Sequence, residues 1–187
     1  MRTLLQVGDK APAIRTKDMS GKVFDLTKSA SPHTLVTFLR YSGCPYCNLA
    51  LHRLSLESNI LKRNGCEIIA FVNSTDENIQ KNIYDRQQFP ITFPLIADID
   101  QKWYKKFGVS PSLKTIPYCL THIPEWLYSA NNLGYKQANI DGNFFMVPAF
   151  FLIDKKGTIV YADYQAGLNY DSTFTPIYET LTFGPSL

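Results

Sequence analysis

Cys44 and Cys47, in the segment Cys44-Pro45-Tyr46-Cys47, are the residues of this chain with the clearest capacity for chemistry. Two intervening residues bring the sulfurs within one helical turn, so a disulfide between them forms and breaks with little backbone motion. The pair lies where an apolar, β-branched run, Thr34 to Leu39, gives way to a helical pattern. Cys44 then falls at or just before the first helical residue, beside unpartnered N–H groups and the positive end of the helix dipole. That setting lowers a thiol pKa, and the thiolate is the nucleophile. Cys44 is therefore expected to be the exposed nucleophile, and Cys47, further into the helix, the less accessible partner.

Two other readings of the pair stand beside redox chemistry. Both cysteines can be small buried hydrophobes. A zinc site would need four ligands, yet Cys66 and Cys119 are isolated and neither a second CxxC nor an HxxxH occurs. His52 lies about 140° around the helix from Cys47 and cannot share a metal with the pair. Redox chemistry is the favoured reading, because the motif sits at a strand-to-helix junction and Pro45 suits a first helical turn.

Arg40 ends the strand beside the pair, where it either steadies a thiolate or snorkels at a strand end. Tyr46 is expected to be exposed in the active loop, as a partner contact or a plain loop aromatic. Cys66 opens a strand and reads as core. For Cys119, in an irregular stretch, an unpaired cysteine is favoured over a second redox partner reached by loop movement. His33, His52 and His122 have neither triad nor ligand spacing, and Phe144, Phe145, Phe150 and Phe151 read as core. With no GxGxxG and no GxxxxGK, no organic cofactor is expected, and no metal.

Hydropathy and turn residues outline the scaffold around this motif. Gly8 to Pro12 is a turn, and short extended pieces cover Ala13 to Thr16 and Lys22 to Leu26. After the strand Thr34 to Leu39, a helix with Leu49, Leu51, Leu54, Leu56 and Ile60 on its apolar face runs to Asn64-Gly65. Cys66 to Val72 is a second buried strand. Ser74 and Glu77 have capping-box spacing for a helix to about Gln88. Leu95 to Ala97 is a short strand, and a brief helix through Trp103 and Phe107 closes at Gly108. Val109 to Asn143 is irregular and proline-interrupted, with one helix near Pro124 to Ala130; it reads as an insertion shaping access to Cys44. Ala149 to Ile153 and Thr158 to Tyr164 flank a tight loop as an antiparallel hairpin. A last helix covers about Ser172 to Leu181. The class is α/β, a central mixed β-sheet with helices on both faces, an N-terminal extension and an insertion before the last hairpin.

Composition agrees with one compact domain over residues 1–187: 45% of residues are hydrophobic and 13% aromatic, enough for a full core. Nineteen Lys and Arg against 16 Asp and Glu give +3, too little and too scattered to point to nucleic acid or an anionic membrane. The longest apolar run, Phe144 to Ile153, is broken by a proline and far short of the ~20 residues of a membrane span. After Met1 and Arg2 only Leu4-Leu5 precede Gln6, Gly8 and Asp9, so no signal peptide is visible and a cytoplasmic location is expected.

Phe38-Leu39-Arg40-Tyr41-Ser42-Gly43-Cys44-Pro45-Tyr46-Cys47-Asn48-Leu49 resembles the active-site segment of peroxiredoxin-like proteins of the alkyl hydroperoxide reductase/thiol-specific antioxidant group. Gly8 to Pro12 is similar to that group's entry turn. Phe93 to Asp98 with Phe107-Gly108-Val109 is similar to its middle segment, and Val147 to Asp154 with Gly157 to its late strand. The resemblance implies a thioredoxin-like fold and a thiol-dependent antioxidant oxidoreductase. Cys44 would attack a peroxide, or alternatively a disulfide, Cys47 would resolve the adduct, and a thioredoxin- or glutathione-type reductant would restore the dithiol. It also implies that Pro148 is cis, with its preceding backbone facing the active cysteine. The group's usual proline and threonine, seven and three residues before the attacking cysteine, are here Thr37 and Tyr41. Tyr41 would offer a phenol hydrogen bond in their place and Arg40 a positive charge.

Overall fold

The computed structural model describes residues 4–86, 90–113, 115–164 and 170–185. Its frame is a five-stranded mixed sheet in the order β5-β4-β3-β6-β7. Strand β3 (His33–Leu39) runs parallel to β4 (Cys66–Val72), and β4 is parallel to β5 (Leu95–Ala97). On its other side β3 is antiparallel to β6 (Ala149–Asp154), which forms the hairpin with β7 (Ile159–Tyr164). Two short strands, β1 (Arg15–Lys17) and β2 (Val23–Asp25), form a separate antiparallel pair from the N-terminal extension.

The period of two along these strands sorts the core into two layers. Leu35, Leu39, Ile68, Val72, Phe150 and Leu152 face helix α1 (Pro45–Arg63) and the C-terminal helix α6 (Tyr170–Phe183). Val36, Phe38, Ile69, Phe71 and Phe151 pack on the other side against Trp103, Tyr104 and Phe107, around α3 (Lys102–Lys106). Each such aliphatic or aromatic side chain contributes roughly 1.5–3 kcal/mol by leaving water. Central β3 is thus fixed on both faces and both edges, and its carboxyl end is a rigid mount for the turn into α1.

The observed elements shift two expectations. Helix α2 (Asp76–Ile79, continuing with wider winding to Tyr84) is capped by Thr75, which accepts from the Asn78 N–H at 3.3 Å. Ser74 is not the cap because its hydroxyl already accepts from the Ser42 N–H at 2.8 Å and donates to Asp141 at 2.7 Å. The expected helix end at Gln88 lies outside the described residues. The insertion holds two helices where the pattern suggests one: α4 (Thr115–Thr121) and α5 (Ile123–Leu127, continuing to Asn132). Pro117 looks like a helix breaker, but it falls in the first turn of α4, where its missing N–H has no partner to lose. Among the described residues no helix is long and apolar enough to cross a membrane.

Candidate active site

Between β3 and α1 the chain makes the turn Arg40 to Cys44, held by its own polar groups. The Cys44 N–H donates to the Tyr41 carbonyl at 3.2 Å. Buried Asn48 reaches back from α1 and donates to the carbonyls of Ser42 (2.7 Å) and Cys44 (3.1 Å). Cys44 is the N-cap residue, with extended backbone, and Pro45 opens the helix. Gly43 is required here because the insertion touches its backbone: its carbonyl accepts from the Ala138 N–H at 2.9 Å, and a Cβ would stand 2.5 Å from the Asn139 carbonyl oxygen.

Arg40 is the centre of the site. Its side chain is buried rather than snorkelling. Nη1 lies 3.6 Å from Cys44 Sγ and 3.4 Å from Cys119 Sγ, and Nη2 donates to the Phe144 carbonyl at 2.6 Å. Its backbone N–H donates to Cys47 Sγ at 3.2 Å. The guanidinium also lies over the rings of Phe144 and Tyr41, 5.0 and 5.5 Å from their centroids. Nε is buried without a hydrogen-bond partner. Three of the four cysteines therefore touch Arg40, two at its guanidinium and one at its backbone N–H, and all four are free thiols.

This arrangement splits the thiols. Burial pushes the Cys44 thiol up, but the Cys47 S–H hydrogen bond, the Arg40 charge and the N–H groups of Cys47 and Tyr46 outweigh it and hold the pKa at about 6. Cys44 makes no close capping hydrogen bond, so these N–H groups act as aligned dipoles at the helix start. Cys47 moves well above the ordinary thiol value, through burial, its hydrogen bond to Cys44 and the neighbouring thiolate. Burial also raises Cys119, with Arg40 opposing. Burial pulls the guanidinium down, yet the surrounding thiols raise its pKa overall, so it stays charged.

Several sequence expectations are corrected. Cys44 is 1% exposed and Cys47 2%, so Cys44 is not the exposed member of an unequal pair. Tyr46 is 7% exposed, with its hydroxyl shared between the carbonyls of Cys119 (2.8 Å) and His122 (3.2 Å). The reason is the insertion, which lies across the start of α1 and is tied there by Ser129, whose hydroxyl donates to the Pro45 carbonyl at 2.8 Å. Phe144 and Phe145 are 42% and 37% exposed, and Phe144 caps Arg40 instead of filling the core, whereas Phe150 and Phe151 are buried. No cis peptide bond occurs among the described residues, so Val147–Pro148 is trans. The reversal before β6 is completed upstream, where the Met146 N–H bonds the Asn143 carbonyl at 3.2 Å. Trans is the ordinary preference of an X–Pro bond. Tyr41 is buried and its hydroxyl donates to Gln137 Oε1 at 3.2 Å. Cys66 is core, as expected. The nearness of Cys119 to Cys44 carries no local sequence signal, since 79 residues separate Cys119 from Arg40.

The family model described as AhpC/TSA matches residues 7–162. The chain belongs to the AhpC/TSA family. It is accordingly an enzyme of the thiol-dependent peroxidase or thiol–disulfide oxidoreductase type. Solved structures share its fold. Peroxidoxin BcpB from Mycobacterium tuberculosis superposes with a TM-score of 0.69 at 13% identity, over 97% of this chain and 99% of that one. A putative thiol:disulfide interchange protein DsbE from Chlorobium tepidum gives 0.64 at 17%, over 95% and 99%. Peroxiredoxin Q from Xanthomonas campestris gives 0.62 at 15%, over 90% and 89%. The five-stranded mixed sheet of this AhpC/TSA member is thus thioredoxin-like. No curated protein matches the chain in sequence.

Proposed function

We propose that this AhpC/TSA member reduces peroxides through a Cys44/Cys47 dithiol–disulfide cycle. The observation that carries the reading is Cys44 at the N-cap of α1 with its Sγ 3.6 Å from the buried Arg40 guanidinium, which lowers its pKa while the neighbouring Cys47 thiol is pushed up. The Cys44 thiolate attacks one peroxide oxygen and the O–O bond breaks. The other oxygen leaves as water or an alcohol after taking a proton, and Cys44 becomes a sulfenic acid. Cys47 Sγ then attacks Cys44 Sγ, its proton leaves with the hydroxyl as water, and the disulfide forms. A thioredoxin- or glutathione-type dithiol returns the two electrons. Arg40 supplies the positive charge next to the reacting oxygen. Tyr41, whose hydroxyl is engaged with Gln137, acts by packing the guanidinium. Pro148 serves by setting where β6 begins, beside the end of β3.

Burial of both sulfurs favours a small oxidant over a disulfide in a folded protein, which would have to enter beneath the insertion. A cytoplasmic setting would supply the reducing thiols. The test is thiol titration and peptide mapping after one equivalent of hydrogen peroxide. Wild type should lose two thiols and yield a Cys44–Cys47 linkage, and Cys44→Ser should lose none at this site. Peroxide reduction by Cys44→Ser at the wild-type rate would overturn the assignment. Turnover of a small disulfide without any peroxide reaction would shift the reading to a disulfide reductase. Four intact thiols under both oxidants would leave a redox-inert binding module.

A further inference from the structure

A Cys44–Cys47 disulfide would form where no reductant reaches it: the two residues are 1% and 2% exposed, while Cys119 is partly exposed. Yet Cys119 Sγ and Cys44 Sγ both contact the same nitrogen, Arg40 Nη1, at 3.4 and 3.6 Å. The two sulfurs are no further apart than those contacts allow, and they lie on opposite sides of the boundary between the buried pair and the surface.

We propose that Cys119 is a third redox-active cysteine, which takes the disulfide from Cys44–Cys47 and presents it to the reductant. This rests on the Cys44/Cys47 cycle. In the first exchange the Cys119 thiolate attacks Cys44 Sγ. The Cys44–Cys47 bond breaks, a Cys44–Cys119 bond forms, and Cys47 leaves as a thiolate that takes up the proton Cys119 gave. Cys47 is the poorer leaving group of the pair; the Arg40 backbone N–H, already 3.2 Å from Cys47 Sγ, supports that leaving sulfur, and the second exchange draws the small population of Cys44–Cys119 disulfide forward. No electrons are gained or lost in this step. In the second exchange a thiolate of the thioredoxin- or glutathione-type reductant attacks Cys119 Sγ. Cys44 is then the leaving group, and its pKa of about 6 beside the raised Cys119 sets that direction. A second reductant thiol frees Cys119 and leaves as the oxidised disulfide, carrying two electrons' worth of oxidation away. Closing the Cys44–Cys119 bond requires a shift of α4, whose seven residues are held over the pair by the Tyr46 hydroxyl on the Cys119 carbonyl.

Two variants test this. Cys47→Ser, given one equivalent of hydrogen peroxide and mapped by mass spectrometry under non-reducing conditions, should form a Cys44–Cys119 disulfide with no retained oxygen. A Cys44 sulfenic acid with Cys119 still open to alkylation would overturn the proposal. Cys119→Ser, oxidised to Cys44–Cys47 and mixed with a thioredoxin-type dithiol, should show its reduction rate lowered at least about tenfold more than its oxidation rate. Equal effects on both rates would also overturn it. Failure of the underlying cycle looks different: wild type then forms no disulfide at Cys44 at all, and Cys119→Ser forms no Cys44–Cys47 linkage.

Discussion

Replacing Arg40 by Met keeps a side chain of similar length and removes the cation. At 3.6 Å from Cys44 Sγ, and with an effective dielectric of about 20, the lost attraction on the thiolate is on the order of 5 kcal/mol. At about 1.4 kcal/mol per pK unit, that is up to about 3 units. The Cys44 midpoint should therefore rise from about 6 to the free-thiol range of ~8.5 or above, since burial is then opposed only by the Cys47 hydrogen bond and the N–H groups of the helix start. Wild-type thiolate absorbance should appear as pH rises through about 6 and be absent in Cys44→Ser. In Arg40→Met it should appear only in alkaline solution. The peroxide rate near neutral pH should fall less steeply, several-fold to about tenfold, because a more basic thiolate is intrinsically more nucleophilic. The midpoint is thus the deciding quantity. Arg40→Lys, which keeps a charge but loses the fork to Phe144, should titrate between the two. A folded Arg40→Met protein, verified by circular dichroism, whose Cys44 still titrates near 6 would refute the electrostatic account.

Tyr46→Phe removes the donor shared by the Cys119 and His122 carbonyls. Stability should drop by about 1 kcal/mol, and alkylation of Cys44 by a bulky maleimide should quicken about fivefold as the insertion opens more often; an unchanged alkylation rate would mean the hydroxyl does not hold the cover. Gly142→Ala would place a Cβ 1.8 Å from the Asn73 carbonyl oxygen. The cost should be about 1–3 kcal/mol, read as a Tm lowered by roughly 3–10 °C; a Tm equal to wild type would show that Gly142 does not lie against Asn73, the residue that follows β4.

What the sequence discloses here is what is local. The apolar β3, Pro45 at a first turn and two cysteines three apart announce a strand-to-helix redox motif, and the structure places Cys44 at the N-cap accordingly. Hairpin β6–β7 is equally plain, since two apolar runs flank Asp154 to Gly157. What stays hidden is tertiary. The place of Cys44 in the chain suggests exposure, but its burial is decided by α4 and α5, and no nearby residue reports their position. The same holds for Cys119, whose partner is an arginine from another element. Phe144 looks like core beside Phe145 and Phe150, yet its carbonyl and ring are spent on Arg40. Thr75 outcompetes Ser74 as a cap only because Ser42 and Asp141 have already claimed the serine.

The two ends of the insertion meet at one place. Pro111 pairs with Met146 across an antiparallel bridge, and the Ser112 N–H donates to the Phe145 carbonyl at 2.9 Å. A segment whose ends meet is a detachable module. Its length can change at little entropic cost, about 0.6 kcal/mol for each doubling, and no strand register depends on it. The strand–turn–helix carrying Cys44 and Cys47 can keep its geometry while the module above it is lengthened or exchanged, provided the contacts of Gln137 and Ala138 with the turn are kept, so the size of oxidant admitted and the identity of the reductant received can diverge.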